Sequence, residues 1–103
     1  SKPIRQVLAY IDDYLTEELN ARVLGEMIYM NPDYLAALFN REVGETLHQH
    51  ILRRRIEEAA RFMRYSGESI STIASFYRFS SQSHFTAVFK KHMGMTPSKY
   101  RNL

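Results

Sequence analysis

The chain has no cysteine among its 103 residues, which excludes disulfide frameworks, thiolate zinc sites and cysteine nucleophiles. It also has no apolar run long enough to span a membrane and no signal-peptide pattern at its start. These absences favour a cytoplasmic protein. Hydrophobic residues at 45% and aromatic residues at 13% nevertheless suffice for a folded interior. The length suits one compact domain, or two very small ones that share a core.

The net charge of +3 is unevenly distributed along the chain. Residues 1–52 contain four Lys or Arg against eight Asp or Glu, whereas residues 53–103 contain ten against three. The two halves therefore carry charges of −4 and +7. A basic half of this size indicates a polyanionic partner, and nucleic acid fits best. An unevenly charged, solvated surface is the alternative.

Patterns typical of strands are scarce, and helical periodicity predicts an all-α fold of seven helices. The first helix is expected over residues 3–15, with Pro3 at its start and apolar residues on one face. Asn20 is a suitable N-cap for a short second helix. The third helix has both ends marked, by Asn31 as N-cap and by Gly44 just past its end.

The longest helix is predicted over residues 47–65, with Thr46 as its cap and an apolar stripe along its whole length. Ser69 and Ser80 are predicted to cap two further helices. A last short helix is expected to begin at Thr96–Pro97, because proline is favoured in the first turn.

The sequence repeats itself at an interval of fifty residues. "FNREVGET" at 39–46 and "FKKHMGMTP" at 89–97 share a Phe, four residues, a Gly, one residue and a Thr. Upstream, a small residue (Gly25 or Ala74) would let the backbones of two helices approach closely. Each copy therefore has the outline of a helix-turn-helix. A repeat that only builds a core is the alternative, although stacked repeat proteins normally need three or more units.

This organisation divides the chain into a first helix-turn-helix subdomain at residues 1–45, a linker helix at 46–65 and a second subdomain at 66–103. The longest helix would measure roughly 28 Å at the rise of an α-helix. Neighbouring major-groove faces on one side of B-DNA recur about every 34 Å. The linker helix is therefore expected to hold two reading helices about one turn of DNA apart.

From about Leu19 to Arg101 the chain resembles the DNA-binding domain of AraC/XylS-type bacterial transcription regulators. The matching stretches are "LGEMIYMNPDYLAALFNREVGET", "RIEEA" and "SISTIASFYRFSSQSHFTAVFKKHMGMTPSKYR". The resemblance implies a bipartite double-stranded DNA site read by two recognition helices, with activation of transcription as the usual outcome.

An activator must also contact RNA polymerase, which is therefore expected as a partner. The chain begins with Ser and not with Met, and it ends almost where the family motif ends. We therefore expect a fragment of a longer regulator whose missing N-terminal domain binds an effector and dimerises; a complete small regulator is the alternative.

On the second recognition helix, the apolar side chains Phe85, Val88 and Phe89 are expected to point inward. Base reading is expected from the residues nearer the groove, which match positions from which similar proteins contact bases: Gln82, Ser83, Thr86 and Ala87. Gln82 can pair bidentately with adenine, whereas Ser83 and Thr86 can bond either base type. Alternatively, Gln82 and Ser83 are ordinary polar residues of a first helical turn.

On the first recognition helix, the residues expected to face the groove are Asp33, Ala36, Ala37 and Asn40. Related sequences often have long polar or basic residues at Ala36 and Ala37, as they also do at Ala87. Because alanine offers only a methyl contact to thymine, we expect the second unit to carry most of the base specificity. The first unit would contribute position and shape.

Phosphate contacts are expected from polar or basic residues at helix ends and turns, namely Asn31, Arg41, Arg78, Ser80, Ser81, Lys90 and Lys91. Arg78 stands where glycine is common in the family's turn. A left-handed backbone there would cost a non-glycine residue roughly 1–2 kcal/mol. In the "RRR" run at 53–55, Arg55 is expected to be structural, and Arg53 or Arg54 is expected to be solvated rather than bound to phosphate.

No set of residues indicates a metal, cofactor or catalytic site. The four histidines lack cysteine or paired carboxylates at ligand spacing, and no nucleophile, base and orienting group can be assembled. The chain is therefore expected to need no cofactor and not to be an enzyme. The alternative function is a helical module that binds a protein through the exposed face of the first helix, which salt-tolerant binding would reveal.

Overall fold

The computed structural model describes all 103 residues, which form seven α-helices and no strands. In chain order these are α1 (Lys2–Asp13), α2 (Ala21–Ile28), α3 (Pro32–Val43), α4 (Leu47–Tyr65), α5 (Ile70–Phe76), α6 (Gln82–Met93) and α7 (Pro97–Arg101). The predicted all-α class is confirmed. The chain divides into two compact units, residues 1–51 and 52–103, and the boundary falls within α4. None of the helices combines the length and apolar character needed to cross a lipid bilayer.

In the first unit, α1, α2 and α3 pack on one another. The buried side chains come from the apolar faces that the sequence predicts: Ile4, Val7, Ile11, Leu24, Leu35, Leu38 and Phe39. The helix α1 ends at Asp13, earlier than predicted, because Tyr14 leaves helical geometry at φ −129°. Leu15 remains buried beyond the helix end.

The start of α4 is capped by Thr46 and Gln49 and contacts α3 through His50. The N–H of Gln49 donates to Thr46 Oγ1 at 3.1 Å, and the N–H of Thr46 donates to Gln49 Oε1 at 3.0 Å. This reciprocal capping box confirms Thr46 as the cap. One turn further, the ring of buried His50 lies 5.3 Å from that of Phe39, and its Nδ1 lies 2.8 Å from Glu45 Oε1.

The second unit has an aromatic core. The Phe85 ring lies 5.1 Å from that of Phe79 and 5.7 Å from that of Phe89. The Phe89 ring also lies 5.5 Å from that of Tyr100, which ties α7 to α6. Phe85 and Phe89 are fully buried as predicted, whereas Val88 is only half-buried. The Arg101 Nε donates to the Met63 carbonyl at 3.3 Å and so links α7 to α4.

The predicted N-caps Asn20, Asn31 and Ser69 each accept a hydrogen bond from the first turn of their helix. The prediction for α6 was wrong by one residue, because Ser81 and not Ser80 accepts from the His84 N–H, at 3.0 Å. Ser81 has the extended backbone of an N-cap. The connection between α5 and α6 therefore has five residues, 77–81, against three, 29–31, between α2 and α3. The N-caps Asn31 and Ser81 are fifty residues apart, which is the interval of the repeat.

Gly25 lies where α2 approaches the start of α3. A Cβ atom at Gly25 would come within 2.5 Å of the Met30 carbonyl oxygen and 3.6 Å of Pro32 Cα. The Met30 N–H also donates to the Gly25 carbonyl at 2.8 Å. The predicted close approach of the two backbones is therefore confirmed in the first unit. In the second unit the equivalent Ala74 is buried with its methyl group in place.

We expect Gly25→Ala to lower the free energy of unfolding by about 1–3 kcal/mol, because the new methyl overlaps a backbone atom that cannot move without disturbing the turn. Urea denaturation measures the change. The control is Gly67→Ala, where a Cβ would meet nothing within 4 Å; it should change stability by less than about 0.5 kcal/mol. Equal effects of the two substitutions would contradict the argument.

Candidate nucleic-acid interface

Each unit contains a helix-turn-helix whose turn passes through a left-handed residue that is not glycine. Tyr29 follows α2 with φ 57°, and Arg78 follows α5 with φ 67°. The backbone N–H of the residue after the left-handed one donates to the carbonyl oxygen of the small residue in the preceding helix. The Met30 N–H donates to the Gly25 carbonyl at 2.8 Å, and the Phe79 N–H donates to the Ala74 carbonyl at 3.0 Å. The left-handed backbone that the sequence suggested for Arg78 is therefore present, at φ 67°.

The equivalent geometry at Tyr29 was missed by sequence reasoning. The signal was available, since Tyr29 and Arg78 each lie four residues after the small residue of their repeat. The Tyr29 side chain is 98% exposed, so packing of its ring does not offset the strain. A left-handed non-glycine residue costs roughly 1–2 kcal/mol.

The predicted base-reading residues of α6 lie together on the surface of the second unit. Gln82, Ser83, Thr86, Ala87 and Lys90 border one shallow depression. The side chains of Gln82, Ser83 and Thr86 make no hydrogen bond within the chain, so their donors and acceptors are free for a ligand. Phe85 and Phe89 anchor the opposite face of the helix.

The predicted base-reading residues of α3 have different surroundings. Ala36, Ala37 and Asn40 border a cavity of about 480 Å³ in the first unit. The rest of its wall comes from the segment leading into α2 and from the start of α4: Leu19, Asn20, Ala21, Thr46, Leu47, His48 and Ile51. Asp33 is exposed on the first turn of α3 but does not border this cavity. The structure therefore brings together three of the four predicted residues.

Two of the predicted phosphate-binding residues, Asn31 and Ser81, already use their side-chain oxygen to cap a helix. Asn31 Oδ1 accepts from the N–H groups of Asp33 and Tyr34 at 2.8 and 3.2 Å, which leaves its amide group as a donor. Ser81 Oγ accepts from His84 and keeps its hydroxyl proton. Ser80 is exposed and makes no such bond.

The basic residues among the predicted phosphate contacts are exposed. Arg41 lies in the last turn of α3, and Lys90 and Lys91 lie in the last turn of α6. Their charges also interact favourably with the helix C-termini on which they stand. Lys90 borders the same depression as Gln82 and Ser83, so a cation lies beside the reading residues.

The arginine run has mainly intramolecular partners. Arg53 and Arg54 donate to the Glu57 carboxylate at 3.1 and 2.6 Å. Burial raises the pKa of Glu57, but the hydrogen bonds from Arg54 and Arg53 outweigh it, so the net pKa lies below its ordinary value. Arg55 is buried, in agreement with a structural role. Burial lowers the pKa of Arg55, and the positive charge of Arg78 lowers it further.

Arg78 is therefore unfavourable for stability in two ways, through its left-handed backbone and through repulsion of Arg55. Its side chain is exposed. The surrounding unit, residues 52–103, is already strongly basic, with a net charge of +7 against −4 for residues 1–51. These charges equal those counted above for 53–103 and 1–52, because Leu52 is uncharged. An exposed cation retained at such a position is suited to an anionic partner.

Two helix-turn-helix motifs, each with an exposed reading face, define a tandem helix-turn-helix domain. A sequence profile described as a helix-turn-helix domain matches residues 24–103. The multiple antibiotic resistance protein MarA of Escherichia coli is 33% identical over 95% of this chain and 77% of its own length. The chain belongs to the AraC-type family, whose members are DNA-binding domains of transcription regulators.

Two further similarities are informative. The uncharacterized transcriptional regulatory protein YesN of Bacillus subtilis is 42% identical over 74% of this chain, which spans only 21% of that protein's length. The DNA-binding domain of the transcription factor AdpA, solved in complex with a target DNA, superimposes with a TM-score of 0.88. The alignment covers 97% of this chain and 90% of AdpA's, and at 24% identity it shows the shared fold.

We expect Arg78→Gly to raise the free energy of unfolding by about 1 kcal/mol, because it relieves the left-handed strain. The same change should weaken binding to duplex DNA and reduce the slope of log K against log salt concentration by about 1, the loss of one phosphate contact. Denaturation and salt-dependent fluorescence anisotropy measure the two effects.

The matched control is Arg78→Lys, which keeps the charge and the strain. It should gain no stability and should retain the salt slope. An unchanged salt slope in Arg78→Gly would show that Arg78 does not contact phosphate.

Proposed function

We propose that this chain binds double-stranded DNA sequence-specifically, with α3 and α6 in adjacent major-groove segments, and regulates transcription as an activator. The observation that carries the proposal is the surface of α6. There, three polar side chains without intramolecular hydrogen bonds (Gln82, Ser83 and Thr86) border one depression on a capped and firmly anchored helix. Such a rigid, exposed row of donors and acceptors is what base-edge recognition requires.

The chemistry of α6 favours particular bases. The Gln82 carboxamide can pair bidentately with adenine N6 and N7, whereas the Ser83 and Thr86 hydroxyls can donate or accept. The methyl groups of Thr86 and Ala87 suit the thymine methyl. Reading of an A·T-containing half-site by α6 follows from these side chains.

We propose that the second unit neutralises most of the DNA phosphates that are contacted, because it carries the net charge of +7. Lys90 and Lys91 at the end of α6, with Arg78 in the turn before it, would position the helix without reading sequence. The first unit carries a net charge of −4, which repels phosphate. Phosphate contacts by Arg41 and Asn31 would therefore be weaker than those of the second unit.

The names of the relatives support a role in DNA binding and transcription regulation. AdpA was solved with a target DNA, and MarA and YesN are named as a resistance protein and a transcriptional regulator. We place the chain in the bacterial cytoplasm, with RNA polymerase as a second partner. We also propose an N-terminal domain that binds an effector and dimerises; the observation in its favour is that the chain spans only 21% of YesN's length.

Selection from a randomised duplex pool, followed by sequencing of the bound fraction, tests the proposal. We expect two enriched blocks about one helical turn apart, because each unit reads one segment. Binding should weaken steeply with salt, since phosphate contacts release counterions. No enrichment together with salt-insensitive binding would overturn the proposal and favour a protein-binding module.

The two reading helices should contribute unequally to the selected site. Gln82→Ala should weaken binding roughly 5- to 150-fold, the effect of losing one bidentate base contact of about 1–3 kcal/mol, and should relax one base position. Asn40→Ala on α3 is the matched control and should cost less. Titration of both variants against the selected duplex measures the difference. A larger loss for Asn40→Ala would show that the first unit dominates specificity.

A further inference from the structure

The cavity beside α3 has the properties of a small-molecule site. Its volume of about 480 Å³ lies within the roughly 300–1,000 Å³ of typical ligand pockets. The depression on α6 is similar in volume, about 460 Å³, but is bordered by α6 alone, whereas three segments of the chain enclose the cavity beside α3. The short side chains of Ala36 and Ala37 border this cavity on α3, opposite the start of α4. The buried side chains of Leu47 and Ile51 provide an apolar inner wall.

The polar groups of the cavity define what it can hold. No Asp, Glu, Lys or Arg borders it, so a charged occupant would lose hydration without gaining an ion pair. Thr46 and Asn20 are engaged in capping their helices. Asn40 and His48 are exposed, and their side chains make no hydrogen bond within the chain, so two side chains remain to orient a ligand.

We propose that this cavity binds an uncharged, largely apolar small molecule of roughly 9–20 non-hydrogen atoms, with a polar group directed at Asn40 or His48. Duplex DNA is not the occupant, because bases that remain stacked in the duplex cannot fill the space. A thymine methyl would reach only the cavity mouth. The proposal for the ligand depends on the geometry of the first unit alone.

A regulatory consequence rests on the proposed DNA-binding function. Ala36, Ala37 and Asn40 are at once the cavity wall and the predicted reading surface of α3. A ligand in the cavity and DNA on α3 would therefore exclude each other. Occupation of the cavity would weaken the contribution of the first unit and leave that of α6 intact.

Indole is a suitable probe, because it is flat, uncharged and mostly apolar and has one N–H donor. Titration of the ¹⁵N-labelled chain without DNA should give saturable amide shifts at Ala36, Ala37 and Asn40, with a dissociation constant on the order of 0.5 mM. The anion indole-2-carboxylate should bind at least about tenfold more weakly, for the desolvation reason given above.

Ala37→Leu should fill the cavity and weaken indole binding at least about tenfold. The control is Ala87→Leu, the equivalent exposed position on α6, which should leave indole binding unchanged. Thermal unfolding checks that both variants fold. Absence of saturable shifts up to the solubility limit of indole, or equal effects of the two substitutions, would overturn the ligand site.

Competition is measured separately, with the duplex selected above. Indole at ten times its dissociation constant should weaken DNA binding by up to about tenfold, and should have no effect on the Ala37→Leu variant. Saturable indole shifts without competition would overturn the regulatory consequence. Failure to bind DNA at all would instead refute the proposed function, while the titration without DNA would still decide the ligand site.

Discussion

The backbone hydrogen bond that closes each helix-turn-helix is the constraint on which both reading surfaces depend. In the first unit the Met30 N–H reaches the Gly25 carbonyl, and in the second the Phe79 N–H reaches that of Ala74. A small residue and a left-handed residue four positions later are both needed for this geometry. Because the bond sets the direction in which the next helix leaves the turn, it also decides which side chains of α3 and α6 face outward.

The two units use the same backbone plan for different surfaces. The second unit is basic, has an aromatic core behind α6 and exposes polar side chains without intramolecular partners. The first unit is acidic, and the alanines of α3 open a cavity where longer side chains would project. A common turn therefore presents two different surfaces, since backbone geometry fixes only the direction of a helix and the side chains determine what it can bind.

Much of the fold could be predicted because its signals are local. Asn31 and Thr46 cap their helices through bonds that span three residues, and Gly44 ends α3 with the left-handed backbone that glycine tolerates. The choice of Ser80 over Ser81 failed because both residues are competent caps. The fifty-residue interval of the repeat, which places Ser81 opposite Asn31, is the signal that distinguishes them. Tyr29 was missed because a tyrosine does not by itself indicate a left-handed backbone, and only its position four residues after Gly25, equivalent to Arg78 after Ala74, carries the signal.

The sequence by itself determined the seven helices, the two motifs and the set of polar residues on α6, because periodicity and capping act within a few residues. Only the tertiary structure decided that Arg78 lies near buried Arg55, and that Ala36 shares a cavity with Leu19 and Ile51. These residues are far apart in the chain. Their proximity results from the packing of whole helices, which depends on many side chains at once and leaves no short-range pattern in the sequence.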